Sequence, residues 1–293
     1  QVFRVGGLLR CGAFRAPLVP TVTFMSLPKL WASWAAQRTK LGRPQIIEVL
    51  TDDNNGTVAL HNALVVVSSC IPGGRFDDEV VRASLQNKQR YCDLYDITLP
   101  SCVRCALFDT RTPGDHHAKW EKYLRLHAEM ASSRDEWFMW IDCDAIFTNV
   151  SFDWSHLLPQ RGRDTGARPS RDLVVSRDRN GFNLGVFFLR NTPWSLGYID
   201  AMLARQEHID HQLWRRRRPN SLRDQRALDD MLLADPLLIR RLQVVPQKLI
   251  NSFLSHSKGN GAIWGQGDWI AHQVDCLRAE CNAELLDVAR RLA

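Results

Sequence analysis

The chain has 293 residues, 45% of them hydrophobic and 24% charged, with a net charge of +6. That length and composition suit one large α/β domain or two small ones with a full hydrophobic core, and they exclude a disordered or fibrous chain. The positive excess is small and its arginines are scattered among acids, so no nucleic-acid partner is expected; the four arginines at 215–218 stand in a polar stretch and read as solvated surface.

Residues 1–47 hold seven basic side chains and no acid. The most apolar part, 16–27, is interrupted by Pro17 and Pro20, is closed by Pro28 and is too short to span a bilayer. Residues 1–45 are therefore expected to be a basic arm or the remnant of a leader or anchor, with a catalytic domain over 46–293, and a chain that starts at Gln1 reads as a fragment or a processed product. The first strand is expected at 64–69, where an aliphatic run ends in Ser68 and Ser69, the pattern of a buried parallel strand with a loop at its carboxyl end. A helix is expected over 78–90 and a second short strand over 93–97. Trp120, Tyr123, Leu124, His127 and Met130 recur at helical spacing and place an amphipathic helix at about 117–133. The bulky run Trp137-Phe138-Met139-Trp140-Ile141 has the length of a buried strand and stops abruptly at Asp142-Cys143-Asp144. Residues 159–172 read as a polar loop, and 173–176 and 186–189 as strands. A helix with Thr192 as N-cap and Pro193 in its first turn runs to about 206. Another helix covers about 224–234, and 242–245 is the expected last strand. Strands alternating with helices imply an α/β fold with a mainly parallel, Rossmann-like sheet covered by helices on both faces. Ligands bind such sheets beyond the carboxyl ends of the strands, which is where the acidic pair stands.

Eight cysteines are more than a reduced cytosolic enzyme needs. Cys102 and Cys105 form a C-x-x-C pair, but no second pair stands nearby to complete a zinc site. The cysteines read either as disulfides, which would suit a secretory lumen, or as buried thiols. Asn55-Gly56-Thr57 and Asn149-Val150-Ser151 are glycosylation sequons, a pattern that also arises by chance.

Asp142-Cys143-Asp144 is the one Asp-x-Asp in the chain. In an extended segment, residues two apart project to the same side, so both carboxylates can share a divalent cation. Mn²⁺ or Mg²⁺ held there would bridge to phosphate oxygens and offset the charge of a departing diphosphate. Acids placed directly after five apolar residues are costly unless neutralised or solvated; the plainer alternative is a loop with two solvated aspartates. His272 offers an imidazole that suits Mn²⁺ as a third ligand, although a single His in an apolar setting is more often a satisfied core residue. Asn183 could bond sugar hydroxyls and Gly185 would admit a ligand close to the backbone; the structural alternative is a turn before a strand. Asp224 and Gln225 open a helix, where an Asp has an ordinary capping role, or could bond the sugar. Ser68, at the end of the first strand, is a further candidate for substrate contact.

Taken in order, Ser68, the stretch from Trp120 to Trp140, Asp142-Cys143-Asp144-Ala145, Asn183-Leu184-Gly185-Val186-Phe187-Phe188-Leu189-Arg190-Asn191-Thr192-Pro193-Trp194-Ser195, Asp224-Gln225-Arg226-Ala227 and Gly267-Asp268-Trp269-Ile270-Ala271-His272 resemble the retaining α-glycosyltransferases that include xyloglucan α-1,6-xylosyltransferases and fungal α-1,2-galactosyltransferases and α-mannosyltransferases. The resemblance spans roughly 64–276. It implies a GT-A fold, a Golgi-lumenal catalytic domain of a type II membrane protein whose anchor is not evident here, Mn²⁺ dependence, and retention of anomeric configuration. By it, Asp142, Asp144 and His272 match the metal ligands, Asp224 and Gln225 the pair beside the donor sugar, and Asn183 and Gly185 the cleft lining. Two positions depart from the plant members. Their diphosphate-binding Lys falls at Leu277, so that either Arg278 beside it takes over the diphosphate contact or diphosphate binding is weaker, and their usual Ser inside the acidic motif is Cys143. The implied reaction moves a sugar from UDP-galactose, UDP-xylose or GDP-mannose to a glycan hydroxyl, the partners being that donor and an oligosaccharide, polysaccharide or glycoprotein acceptor; homo- or hetero-oligomers are open. Two rivals follow from the same residues: an inactive sugar-binding relative or partner subunit of a glycosyltransferase complex, and a metal-dependent phosphohydrolase, which would need more clustered His and Asp ligands.

Overall fold

The computed structural model describes residues 64–72, 76–98, 103–114, 117–159, 171–215, 223–257, 261–275 and 279–291. The chain separates into two compact units, Gln1–Leu60 and His61–Ala293, and all described residues belong to the second. The expected arm, the polar loop at 160–170 and Arg278 lie outside them.

Six strands form the central sheet in the order β2-β1-β3-β6-β5-β7. Strand β1 (Leu64–Ser69) is aliphatic and fully buried through Val67, as expected of a strand covered on both faces. It pairs in parallel with β2 (Val103–Phe108) on one side and β3 (Trp137–Ile141) on the other. Strands β5 (Leu173–Asp178) and β6 (Gly181–Arg190) form a hairpin whose turn passes through Arg179 and Asn180. Asp178 Oδ1 accepts from the Asn180 N–H, and Gly181 takes a φ of 118°, a left-handed value that a side chain would resist. So short a link permits only antiparallel pairing, so β6 opposes the other five strands. It is also antiparallel to β3, while β5 is parallel to β7 (Leu242–Val245). The sheet is mainly parallel, as expected.

Helices cover both faces. On one face, Val65, Val67, Phe138, Trp140 and Phe187 pack against Tyr123, Leu126 and Met130 of α2 (Glu121–Ser132), Ile199 and Met202 of α3 (Pro193–Leu203), Ile209 of α4 (Gln206–Arg215), and Ala227 and Leu228 of α5 (Arg223–Ala234). On the other face, Leu64, Val66, Met139 and Phe188 meet Tyr91 and Cys92 of α1 (Asp78–Thr98) and the aromatic side chain of Trp269. Helix α6 (Ala279–Arg291) shares a smaller core with α1, joining Leu285 and Val288 to Val80.

Three expectations need correction. Residues 93–97 are not a strand: α1 continues through them, because its buried stripe Val80, Ser84, Lys88, Tyr91 and Cys92 keeps helical spacing and Gln89 bonds Asp93 one turn on. The second strand is β2 instead, a largely half-exposed edge whose Arg104 and Cys105 blur the apolar pattern. The helix opened by Thr192, whose side chain accepts from the Ser195 N–H as expected of an N-cap, stops at Leu203; a turn at Ala204 and Arg205 separates it from α4. Nor is β7 the last strand. A second sheet, β4-β9-β8, joins β4 (Ala145–Phe147), β8 (Ser252–Phe253) and β9 (Ile270–His272). Strands of two or three residues are too short to show alternation.

Leu126 is fully enclosed between α2 and the sheet. Leu126→Ala should lower the unfolding free energy by about 2–5 kcal/mol in a denaturant melt, through lost burial and the cavity left behind.

Candidate metal and donor site

Strand β3 stops where its backbone turns. Asp142 N–H donates to Gly185 O at 2.7 Å and Ala145 N–H closes back on Asp142 O at 3.1 Å, so residues 142–145 form a tight turn into β4. The acidic pair is thus not extended, as the spacing argument assumed. The turn nevertheless brings both carboxylates to one place. There His272, the last residue of β9, stands opposite Ala145 in the small sheet. Its Nε2 lies 3.3 Å from Asp144 Oδ1, and ligand atoms of Asp142, Asp144 and His272 all fall within 4.8 Å of one another. A divalent ion with bonds of about 2.0–2.2 Å spans such a set, and one nitrogen with hard carboxylate oxygens is a donor set that Mn²⁺ accepts.

Two features orient the imidazole. Nδ1 lies 2.6 Å from Asn251 Oδ1; as an amide oxygen can only accept, Nδ1 carries the proton and Nε2 presents its lone pair to the acids. The ring also lies against Gly185, where an added Cβ would come within 2.3 Å of Cε1. Gly185 therefore supplies the room in which His272 sits.

Lys122, buried in the first turn of α2, donates to Leu184 O at 2.6 Å and forms ion pairs with Asp142 at 3.2 Å and Asp224 at 2.9 Å. Burial alone would lower its pKa; Asp142 and Asp224 outweigh that and hold it above the ordinary lysine value. For Asp224 burial likewise pushes up, Lys122 wins, and the carboxyl is held below its usual range. Asp142 also accepts from Trp140 Nε1. Lys122 thus links the acidic turn to the start of α5, where Gln225 holds its Oε1 shielded from solvent with no hydrogen-bond partner among the described residues. A buried acceptor without a partner is a place for a ligand donor. Beneath the turn, Lys88 of α1 donates to Ser84, whose hydroxyl donates to Cys143 O. Burial pushes the Lys88 ammonium down to about 7, against the pull of Asp144 and Asp142.

The remaining expected site residues are placed as follows. Ser68 is fully buried, and its hydroxyl donates to Ile141 O at 2.7 Å, which braces β1 against the end of β3. Asn183 is buried on β6; its Nδ2 donates to Asp178 and its Oδ1 accepts from the Gly185 N–H at 2.9 Å. Lys122, Lys88, Ser84 and Asn251 were not expected. Lys122 follows Glu121 at a helix start and reads there as solvated surface. The cysteines resolve as disulfides: Cys70–Cys143 and Cys92–Cys105 are bonded, Cys281 is also oxidised, and no described cysteine is free.

A mainly parallel sheet with helices on both faces, an acidic turn at the carboxyl end of a central strand and a histidine brought in by a late strand define a glycosyltransferase fold of the GT-A type. A solved structure of a glycosyltransferase involved in glycosylating the major capsid of PBCV-1 shares it, with a TM-score of 0.55 at 13% identity over 76% of this chain and 98% of that one. The chain belongs to the galactosyl transferase GMA12/MNN10 family, whose model matches residues 61–283. It is 32% identical over 157 residues to probable glycosyltransferase 6 of Oryza sativa subsp. japonica, covering 50% of this chain and 30% of the relative. It is 28% identical over 152 residues to galactomannan galactosyltransferase 1 of Cyamopsis tetragonoloba, covering 50% and 33%. The match thus spans about a third of the length of these curated relatives.

Two outcomes follow from this geometry. Gly185→Ala should leave the protein folded but push the His272 ring away, weakening Mn²⁺ binding by about tenfold or more in a calorimetric titration. The second concerns pH. The unfolded chain keeps the Lys88 proton to near 10.5 and the folded chain only to about 7, so unfolding takes up a proton between those values. The destabilising contribution of Lys88 is full below pH 7 and fades as pH rises toward 10.5. In chelator-treated protein, Lys88→Met should flatten the rise of unfolding free energy with pH across that window.

Proposed function

We propose that this chain transfers a glycosyl group from a nucleotide-sugar donor, UDP-galactose, UDP-xylose or GDP-mannose, to a glycan hydroxyl with retention of configuration. The observation that carries the proposal is the convergence of Asp142, Asp144 and His272 beside the Lys122–Asp224 pair and the open acceptor of Gln225. A divalent cation, Mn²⁺ in preference to Mg²⁺ because one ligand is an imidazole, would supply charge neutralisation for the leaving diphosphate. Asp142, Asp144 and His272 would hold it. Lys122 stays protonated and keeps Asp224 ionised. Asp224, with its low pKa, does not serve as a proton donor; it sets negative charge where an oxocarbenium-like centre would develop, and the Gln225 carbonyl adds its dipole. With retention by a front-face route, the departing phosphate oxygen takes the acceptor's proton, and no side-chain nucleophile is needed. In this reading Asn183 and Gly185 line the donor and acceptor cleft, Arg278 would contact the diphosphate, and Ser68 braces the strand rather than touching substrate.

The oxidised cysteines support a lumenal site of action, such as the Golgi. Among the described residues no helix is long and apolar enough to cross a membrane.

A thermal-shift screen of the three nucleotide sugars should stabilise the fold only when Mn²⁺ is present, following RT ln(1 + [L]/Kd). Asp142→Ala with Asp144→Ala should abolish that shift and lower kcat by roughly 10³-fold or more, as loss of several kcal/mol of charge stabilisation requires. Transfer that survives the double change would instead assign this chain the part of a sugar-binding partner subunit.

A further inference from the structure

We infer that the Cys70–Cys143 disulfide is a positioning clamp for the metal ligands. The inference rests on the metal-dependent reading above. Cys143 is the residue between Asp142 and Asp144, so the bond acts on the backbone that aims both carboxylates. Its far end is rigid. Cys70 follows β1 directly and is fully buried, and its N–H donates to Phe108 O at 2.8 Å, continuing the β1–β2 ladder by one residue. The two Cα atoms stand 5.0 Å apart and 73 residues separate them in the chain. Around the bond, Val81, Phe76 and Leu85 form a small apolar cluster. On the other side of Cys143, its carbonyl accepts from Ser84 of α1.

Every residue of the turn is tied to a different element. Asp142 N–H is tied to Gly185 O of β6, Cys143 covalently to the end of β1, and Asp144 O to the Gln273 N–H after β9 at 2.8 Å. Among these ties the disulfide is the one that opposes electrostatics. Two carboxylates so close repel, and a free turn would relieve the repulsion by swinging one outward. Hydrogen bonds exchange with water at small net cost, whereas a covalent link to the sheet does not. The clamp therefore keeps the acids in reach of one ion before the ion arrives. The Cys92–Cys105 disulfide provides a built-in comparison, because it ties α1 to β2 without touching the turn.

The test is a Mn²⁺ titration of the full chain, followed by the electron paramagnetic resonance of free and bound Mn²⁺, with folding monitored by near-UV circular dichroism. Cys70→Ser/Cys143→Ser should raise the Kd for Mn²⁺ by about tenfold or more, the range for residues that orient metal ligands, and change the spectrum of the bound ion. Cys92→Ser/Cys105→Ser should lower the melting temperature with the Kd moved less than about twofold. If the serine pair does not fold, Cys70→Val/Cys143→Ala replaces it, and the wild-type chain is also titrated before and after phosphine reduction, with thiols counted by mass. An unchanged Kd in folded protein lacking the Cys70–Cys143 bond, or an equal loss in the Cys92/Cys105 variant, overturns the clamp. Wild-type protein that binds no Mn²⁺ overturns the metal-dependent reading itself, a result distinct from either.

Discussion

Carboxylates packed within a few ångströms of each other at the end of a dry strand repel through poorly screened surroundings, and much of this domain is arranged to contain that repulsion. The turn holding Asp142 and Asp144 is anchored to β1, β6, β9 and α1 at once. Positive charge is supplied from inside the fold by Lys122, which pairs with Asp142. Loss of any one anchor leaves the others, so the site is a shared product of the sheet and its flanking helices.

The same arrangement explains why the site lies on the seam between two sheets. The central sheet stops at Ile141, and Ala145 already belongs to the small sheet that carries His272. Between them stand Asp142 and Asp144, two of the three proposed ligands. A change of strand direction is where backbone groups leave the ladder, and here those groups are taken up by Gly185 O and the Gln273 N–H. The imidazole is then aimed by Asn251 and given room by Gly185, so residues that would not touch the ion decide how His272 meets it. On the far side, the Lys122 bridge carries the charge pattern from the metal ligands to Asp224 and Gln225, joining the two halves of the site electrostatically.

Much of the frame was legible in the chain. The aliphatic run at Leu64, the aromatic run at Trp137 and the hairpin strand at Val186 announce buried strands, and the acids after Ile141 announce a strand end with polar chemistry. His272 was an ambiguous candidate on its own, since one imidazole among apolar residues has a plain structural reading, and the resemblance strengthened its reading as a ligand. Lys122 was missed because a lysine beside a glutamate at a helix start is normally solvated. Asn251 and Ser84 were missed because they act through a neighbour, and such roles leave no local pattern. Residues 93–97 were misread because five residues can alternate like a strand while continuing a helical stripe.

What the sequence by itself determined is therefore local: where backbone is apolar enough to be buried, where turns and caps must fall, and which side chains have the chemistry to hold a dication. Only the tertiary structure decided which of them meet. The union of Asp142 and Asp144 with His272, the pairing of Cys143 with Cys70 and the bridge from Lys122 to Asp224 join segments far apart in the chain, and their distances depend on how helices and strands pack. Periodicity records the environment of a residue; it does not record its partner.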